Sequence, residues 1–357
     1  MKTVSFLKGG PRLGLFFICL CAWGASPAAS SVLDTPATMV ASPERRVLLA
    51  VAAPEGRLVA AGEMGIVVTS LDGGKSWQQA RVPVGVSLTN LRFTSAKTGW
   101  AVGHAGVLLK TDDGGNSWAK VLDGEGAAKL ALEKAGALND PIAMSRAKKR
   151  VEEGADKPFF DILFLDGRRG FLVGAYGLLL RTVDAGKTWE SWAHKLPAAL
   201  ADRHLHQLIY ARDTLFIAGE QGTLLRSRDG GESFEALPSP YKGTFLGGIA
   251  TRNGEVVLFG LRGNVFLSED LGMKWSKLSL PTTASITAAL QLQDGRLVLA
   301  SQAGEIFVAN AQQGYEAMGL QGSFPYVAIA ASADQKQLYA VGLGGVRTIA
   351  LSAPGGK

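Results

Sequence analysis

The chain has 357 residues, 47% of them hydrophobic, with 45 glycines, two cysteines and a formal charge of +6 at pH 7. That length suits two average domains or one large single-layered architecture, and the apolar fraction is enough for a sizeable core. So mild a charge argues neither for nucleic acid nor for a strongly anionic partner, and a glycine-rich, cysteine-poor composition leans towards all-β folds.

The first thirty residues read as a secretory signal peptide. Lys2, Lys8 and Arg12 form a basic start, residues 13–23 an apolar stretch, and GASPAAS a small-residue cleavage zone. The apolar stretch is too short to span a bilayer. Cleavage is expected after Ala29 or Ser30. Both cysteines, Cys19 and Cys21, lie in this leader, so the exported chain has no disulfide, thiolate or cysteine-held metal. The three basic residues leave with it, which takes the formal charge from +6 to +3.

Beyond the leader the chain repeats itself. SLDGGKSW begins at Ser70, TDDGGNSW at Thr111, TVDAGKTW at Thr182, SRDGGESF at Ser227 and SEDLGMKW at Ser268. Each phrase fits a tight turn. Its Asp (Asp72, Asp113, Asp184, Asp229, Asp270) can accept from turn N–H groups, and its Gly allows positive φ. Its aromatic residue (Trp77, Trp118, Trp189, Phe234, Trp275) would then pack between sheets. Upstream of each phrase stands a GxxG string with apolar residues after it, and two further copies lack the Asp phrase. The seven anchors fall at positions 62, 103, 174, 219, 260, 301 and 342. A period near 41 with short β-type runs is the pattern of a propeller with one four-stranded blade per repeat. In the second repeat the strands are expected at 88–93, 99–102, 107–110 and 117–121.

One spacing is longer, 71 residues between the second and third anchors. The extra stretch, about 123–157, shifts to Ala, Lys, Glu and Leu, which are helix formers. GAAKLALEKAGAL suits one helix. Asp140-Pro141 suits the cap and first turn of a second that stops at Gly154. A helical hairpin between blades 2 and 3 is therefore expected, on the same face as the GxxG loops and opposite the Asp phrases. The last repeat shows only three strands, so residues 31–41 are expected to supply its outer strand and close the ring.

The phrases resemble the Asp-boxes of BNR-type propellers, which include sialidases, sortilin-type receptors and the photosystem II stability/assembly factors. The last group is the closest in pattern: FLDGRRGFLVGAYGLLLRTVDAGKTW, residues 164–189, matches its repeat nearly throughout, and the likeness extends over the whole exported chain. The resemblance is to the bacterial, non-photosynthetic branch. It implies a seven-bladed propeller whose Asp-boxes are structural, and fold likeness of this kind says little about activity. It also implies a client-binding patch of arginines on adjacent blades. Lys110, Arg181 and Arg226 occupy one repeat position in three successive blades, although the corresponding residues elsewhere are Thr69, Leu267 and Val308.

Other candidate contact residues are Tyr176 and Arg262 in the GxxG loops and Arg146, Lys149 and Arg150 on the second inserted helix, where a basic face could also touch anionic lipid. His204 and His206 would share one side of a strand, but four histidines in all and no matching acid make a metal pair a poor reading. The Phe-Arg-Ile-Pro element of sialidases is missing, and no Tyr sits in a context that nominates it as a nucleophile. The expectation is a non-enzymatic, monomeric periplasmic scaffold without cofactor, metal or nucleic acid. It would serve as an assembly or accessory factor for an envelope membrane-protein complex. The resemblance further implies an exporter of the resistance–nodulation–division type as client. The alternative is a secreted glycoside hydrolase, sialidase-like, or a sugar-binding propeller.

Overall fold

The computed structural model describes residues 31–310, 314–318 and 324–351; the leader, residues 1–30, lies outside them. Seven antiparallel sheets follow one another along the chain, six of four strands and a last of three. They are the seven blades of a β-propeller. Blade 2 is typical: strand A is Leu88–Phe93, B Gly99–Gly103, C Leu108–Thr111 and D Ala119–Leu122. B and C carry the apolar residues that are buried on both faces, as a strand between two neighbours requires.

Each junction between blades holds its own apolar cluster. Between blades 2 and 3, for example, Trp100, Phe159, Leu172 and Trp189 meet. The aromatic residue of each Asp phrase packs against the preceding blade: Trp118 on blade 1, Phe234 on blade 3, Trp77 on blade 7. Trp100 and Trp189 meet edge to face at 6.4 Å.

A bulge recurs in strand A of every blade, at the residue between the first two ladder partners. A bulge re-aims one side chain out of the pleat. The seven residues so placed line a central channel of about 680 Å³; they include Leu49, Thr89, Phe160, His206, Thr287 and Val327. The polar members reach across to the next blade. Thr89 donates to the Phe159 carbonyl at 3.0 Å, His206 Nδ1 to the Phe245 carbonyl at 2.8 Å, and Thr287 to the Tyr326 carbonyl at 2.7 Å.

The inserted segment is a helical hairpin, α1 (Gly124–Leu138) and α2 (Pro141–Glu153). Asp123 caps α1 by accepting from Gly126 N. Asp140 caps α2 by accepting from Ile142 N and Ala143 N, with Pro141 as its first residue. Alanines Ala131, Ala135 and Ala147 form the seam between the helices.

The closing strand is a correction. Residues 31–41 form no strand, and blade 7 keeps three strands among the described residues, Tyr326–Ala331, Gln337–Gly342 and Gly345–Ala350. The segment instead straps the outer edges of blades 1 and 2. Ala37 N donates to the Val82 carbonyl, Gly85 N to the Val32 carbonyl, and Lys120 Nζ to the Leu33 carbonyl. Leu33 is buried in the cluster between those blades. Pro36 has no N–H to give a ladder, and burial of Leu33 holds the segment there instead. Blade 7 meets blade 1 through side-chain packing around Leu48, Val68 and Val341, and through the Tyr339 hydroxyl, 3.3 Å from the Gly73 carbonyl.

Candidate functional site

Three regions collect the polar chemistry: the Asp-box face, the channel, and the opposite face with the hairpin. In the Asp-boxes the carboxylate is consumed by the turn. Asp184 Oδ1 accepts from Thr188 N at 2.9 Å and from the Thr182 hydroxyl at 2.9 Å, and Oδ2 from the Thr188 hydroxyl at 2.6 Å. The Thr182 hydroxyl in turn accepts from Gly186 N. Asp72, Asp113 and Asp229 repeat this network; Asp270 lacks the second hydroxyl, since Lys274 stands there. Bonds from Thr188 hold the Asp184 carboxyl at about 2. Burial pushes Asp229 up, yet Ser233 and Ser227 more than offset it and leave it at about 2. These carboxylates are staples of the fold.

The basic positions beside the boxes are also spoken for. Lys110 pairs with Asp112 at 2.9 Å. Arg181 lies on the Trp192 ring, 4.5 Å from its centre, and pairs at 2.6 Å with Glu232 of the next blade. Arg226 pairs with Glu235 at 2.8 Å and donates to the Leu271 carbonyl of the next blade at 2.6 Å, with 5% of its side chain exposed. The three are inter-blade and intra-blade ties, and their charge is largely neutralised where it sits.

Sequence reading missed the channel network. Asp161 is fully buried and accepts from Arg92 Nε (2.8 Å) and Nη2 (2.7 Å), Asn90 Nδ2 (3.0 Å), Gln207 Nε2 (2.6 Å), Leu208 N (2.8 Å) and Ile162 N (2.9 Å). Burial pushes its carboxyl up, against the pull of the Arg92 guanidinium. Asn90, Asp161 and Gln207 each follow a bulge residue, in blades 2, 3 and 4. The same position holds Ala50, Gly247, Ala288 and Ala328 elsewhere. The repeat register carries that signal: it is the residue about thirteen before each GxxG glycine.

On the opposite face the GxxG loops are strained at their third residue. Met64, Ala105, Tyr176, Gln221 and Arg262 have φ between 51° and 58°. Close approach leaves no room for a side chain on the flanking glycines: a Cβ on Gly177 would lie 1.8 Å from the Ala201 carbonyl oxygen. In four of the five loops the left-handed residue is exposed, Tyr176 by 51% and Met64 by 61%, whereas Ala105 is half-buried against the cluster between blades 1 and 2. The hairpin adjoins this face at blades 2 and 3. Gly106 abuts Gly124, Lys134 pairs with Glu190 on the outer strand at 2.9 Å, and Arg146 pairs with Asp202 at 2.9 Å. Arg150 donates to the Tyr176 carbonyl at 2.5 Å, and Lys157 lies 5.3 Å from the Tyr176 ring centre. Tyr176 also meets His204 edge to face at 4.6 Å. Arg146, Arg150 and Tyr176 are thus one cluster. Lys149 points elsewhere, 3.6 Å from Glu153, and Arg262 is exposed on blade 5.

His204 and His206 have both δ nitrogens in use, the first accepting from Tyr176 N at 3.1 Å, the second bonded to Phe245. Among the described residues no group of three or more His, Cys, Asp or Glu is placed to hold a metal.

Comparison with known proteins adds the family. A short alignment, 41% identical over 58 residues, links the chain to the photosystem II assembly lipoprotein Ycf48 of Prochlorococcus marinus, covering 16% of this chain and 17% of that protein. The protein of the same description from a Synechococcus species is 31% identical over 100 residues, 27% of this chain and 29% of that one. The chain thus matches under a third of the length of either relative. A solved structure described as YCF48 bound to D1 peptide superposes with a TM-score of 0.63 at 16% identity, over 87% of this chain and 94% of that one, which shows a shared fold. The family model described as photosynthesis system II assembly factor YCF48 matches residues 46–130 and 141–319, most of the propeller, and the chain belongs to that family.

Proposed function

We propose that the protein is a non-catalytic scaffold that assists assembly or operation of an envelope membrane-protein complex from the periplasm. Family membership supports an assembly role, and a related propeller solved with a D1 peptide supports a membrane-protein segment as the kind of client. The observation that carries the reading is the face that joins the hairpin to four exposed left-handed loop residues, Met64, Tyr176, Gln221 and Arg262. Holding a non-glycine residue in the left-handed region costs about 1–2 kcal/mol, and such strain collects where side chains are displayed for contact. The periplasmic location rests on the leader sequence, and the exporter client on the resemblance of sequence alone.

The test is photo-crosslinking in cells from an unnatural residue at Tyr176 or Arg262. Wild type is compared with a variant whose residues 123–157 are replaced by a short Gly-Ser loop. A defined membrane protein captured by wild type and lost with the hairpin, at unchanged melting temperature, supports the scaffold reading. Capture that is indifferent to the hairpin, or hydrolysis of sialosides by the purified protein, overturns it. Fractionation that leaves the mature chain in the cytoplasm overturns the location.

A further inference from the structure

Between α1, α2 and the segment 191–201 lies a cavity of about 230 Å³. Its walls are short apolar side chains, Ala131, Ala135, Ala143 and Ala147 from the helices and Leu196 and Ala198 from the facing segment. At roughly 30 Å³ per water-sized group, it takes a chain of about eight carbon-sized groups, with any polar head at its cationic side. A hollow lined by alanine methyls has no hydrogen-bond partners for water over most of its surface, so it favours an apolar occupant.

One side of the cavity is cationic: Lys134, Arg146 and Arg150 line it, and the one acidic residue of the lining, Asp140, is engaged in the α2 cap. Lys134 and Arg146 are neutralised by Glu190 and Asp202. Arg150 has no carboxylate partner among the described residues; its hydrogen bond goes to the Tyr176 carbonyl. Burial pushes its guanidinium down, and Asp202 only partly counters that. His194 also lines the cavity, and its Nδ1 is buried with no hydrogen-bond partner. A partly desolvated guanidinium with no carboxylate in direct contact, beside an unpartnered imidazole nitrogen, is an incomplete anion site. Guanidinium forks match carboxylates in particular.

We propose that this cavity binds a medium-length aliphatic carboxylate, its chain among the alanines and its head group on Arg150. The cavity lies under the same hairpin and shares Arg150 with the Tyr176 cluster, but binding of a small ligand there is read on the purified protein and does not depend on the scaffold reading.

Isothermal titration calorimetry of the purified protein with octanoate tests this. Octanol supplies the same chain without the charge, and acetate the head group without the chain. Octanoate is expected to bind saturably, and octanol and acetate at least about tenfold more weakly, since a charge-assisted hydrogen bond or most of the apolar burial is lost. Arg150→Met is expected to weaken octanoate at least about tenfold and to leave octanol unchanged. Ala198→Phe, at an exposed position of the wall, fills the hollow without disturbing the core and is expected to weaken both. No saturable octanoate binding, equal affinity for octanol, or octanoate affinity unchanged in either variant overturns the proposal. Should Arg150→Met fail to fold by its melting curve, Ala198→Phe decides alone.

Discussion

Replacing Arg92 by methionine strips the counter-charge from Asp161 while keeping most of the side-chain volume. The carboxylate stays fully buried and keeps four acceptor contacts, from Asn90, Gln207, Leu208 N and Ile162 N, but no cation. Removing one partner of a buried ion pair costs about 3–5 kcal/mol; this pair is bidentate at 2.7 and 2.8 Å, but 34% of the Arg92 side chain is exposed, which favours the lower end. The upper part of that range is offset by the remaining donors, so a loss near 3 kcal/mol is expected at about pH 7. The sign with pH follows from the direction of the shift. Burial already pushes Asp161 up and Arg92 holds it down; without Arg92 its folded pKa lies further above the unfolded value of about 3.9. A raised carboxyl destabilises the fold above the unfolded pKa, so the deficit shrinks as pH falls from about 7 towards about 4. Urea unfolding at about pH 7 and about pH 5, analysed by linear extrapolation, reads both effects. The double variant with Asp161→Asn should lose less than the sum of the singles, by roughly 0.5–3 kcal/mol. A single-variant loss below about 1 kcal/mol, or one independent of pH, would show that the pair is not the keystone of the channel.

The Asp-boxes predict acid behaviour of the opposite kind. With Asp184 and Asp229 held at about 2 against an unfolded value of about 3.9, their contribution is complete above pH 4 or so and vanishes as pH falls to about 2. Asp184→Asn should flatten that acid limb of the melting-temperature profile; an unchanged limb refutes the assignment. Ala185 stands at φ 62°, where three other boxes have glycine, so Ala185→Gly should stabilise by up to about 1 kcal/mol, or about 2 °C in melting temperature. Gly231→Ala should do the reverse. Its φ is 89° and its Cβ would lie 2.1 Å from Phe171, so a loss of about 3 kcal/mol is expected by urea titration, and a loss under about 1 kcal/mol contradicts the packing. Replacing residues 123–157 by a short loop should shift the melting temperature little, because α1 and α2 meet through alanines and only Ala127 and Leu130 of α1 join the cluster between blades 2 and 3.

The propeller was legible because its signals are local and repeated. An Asp two residues after a Ser or Thr, a glycine at positive φ and an aromatic five after the Asp specify one turn wherever they occur. The hairpin was legible for the same reason, from Asp123, Asp140 and Pro141. What failed depended on contacts between distant segments. Residues 31–41 carry no mark of their destination, since what fixes it is the fit of Leu33 between blades 1 and 2. The arginine positions were visible as a stripe, but their neutralisation was not. Glu232 and the Leu271 carbonyl reach Arg181 and Arg226 from the next blade, some fifty residues on. Asp161 escaped notice because a bulge breaks the two-residue alternation that would have pointed it at the channel.

The unequal junctions have a mechanical consequence. Blades 1 and 2 share the strap, 2 to 4 the Asp161 network, and 4 and 5 the His206 clasp. Blades 6 and 7 are tied to each other through Thr287, yet neither carries an Asp phrase, so no box aromatic wedges either against its predecessor. The circle therefore divides into a stiff arc of five blades and a soft arc of two, with the chain's last described residues in the soft one. On warming, amide hydrogen exchange should advance through residues 286–350 before it reaches residues 48–278. This propeller is then expected to behave less as a closed wheel than as a spring clip, parting at one side while the hairpin, across the ring, keeps its shape.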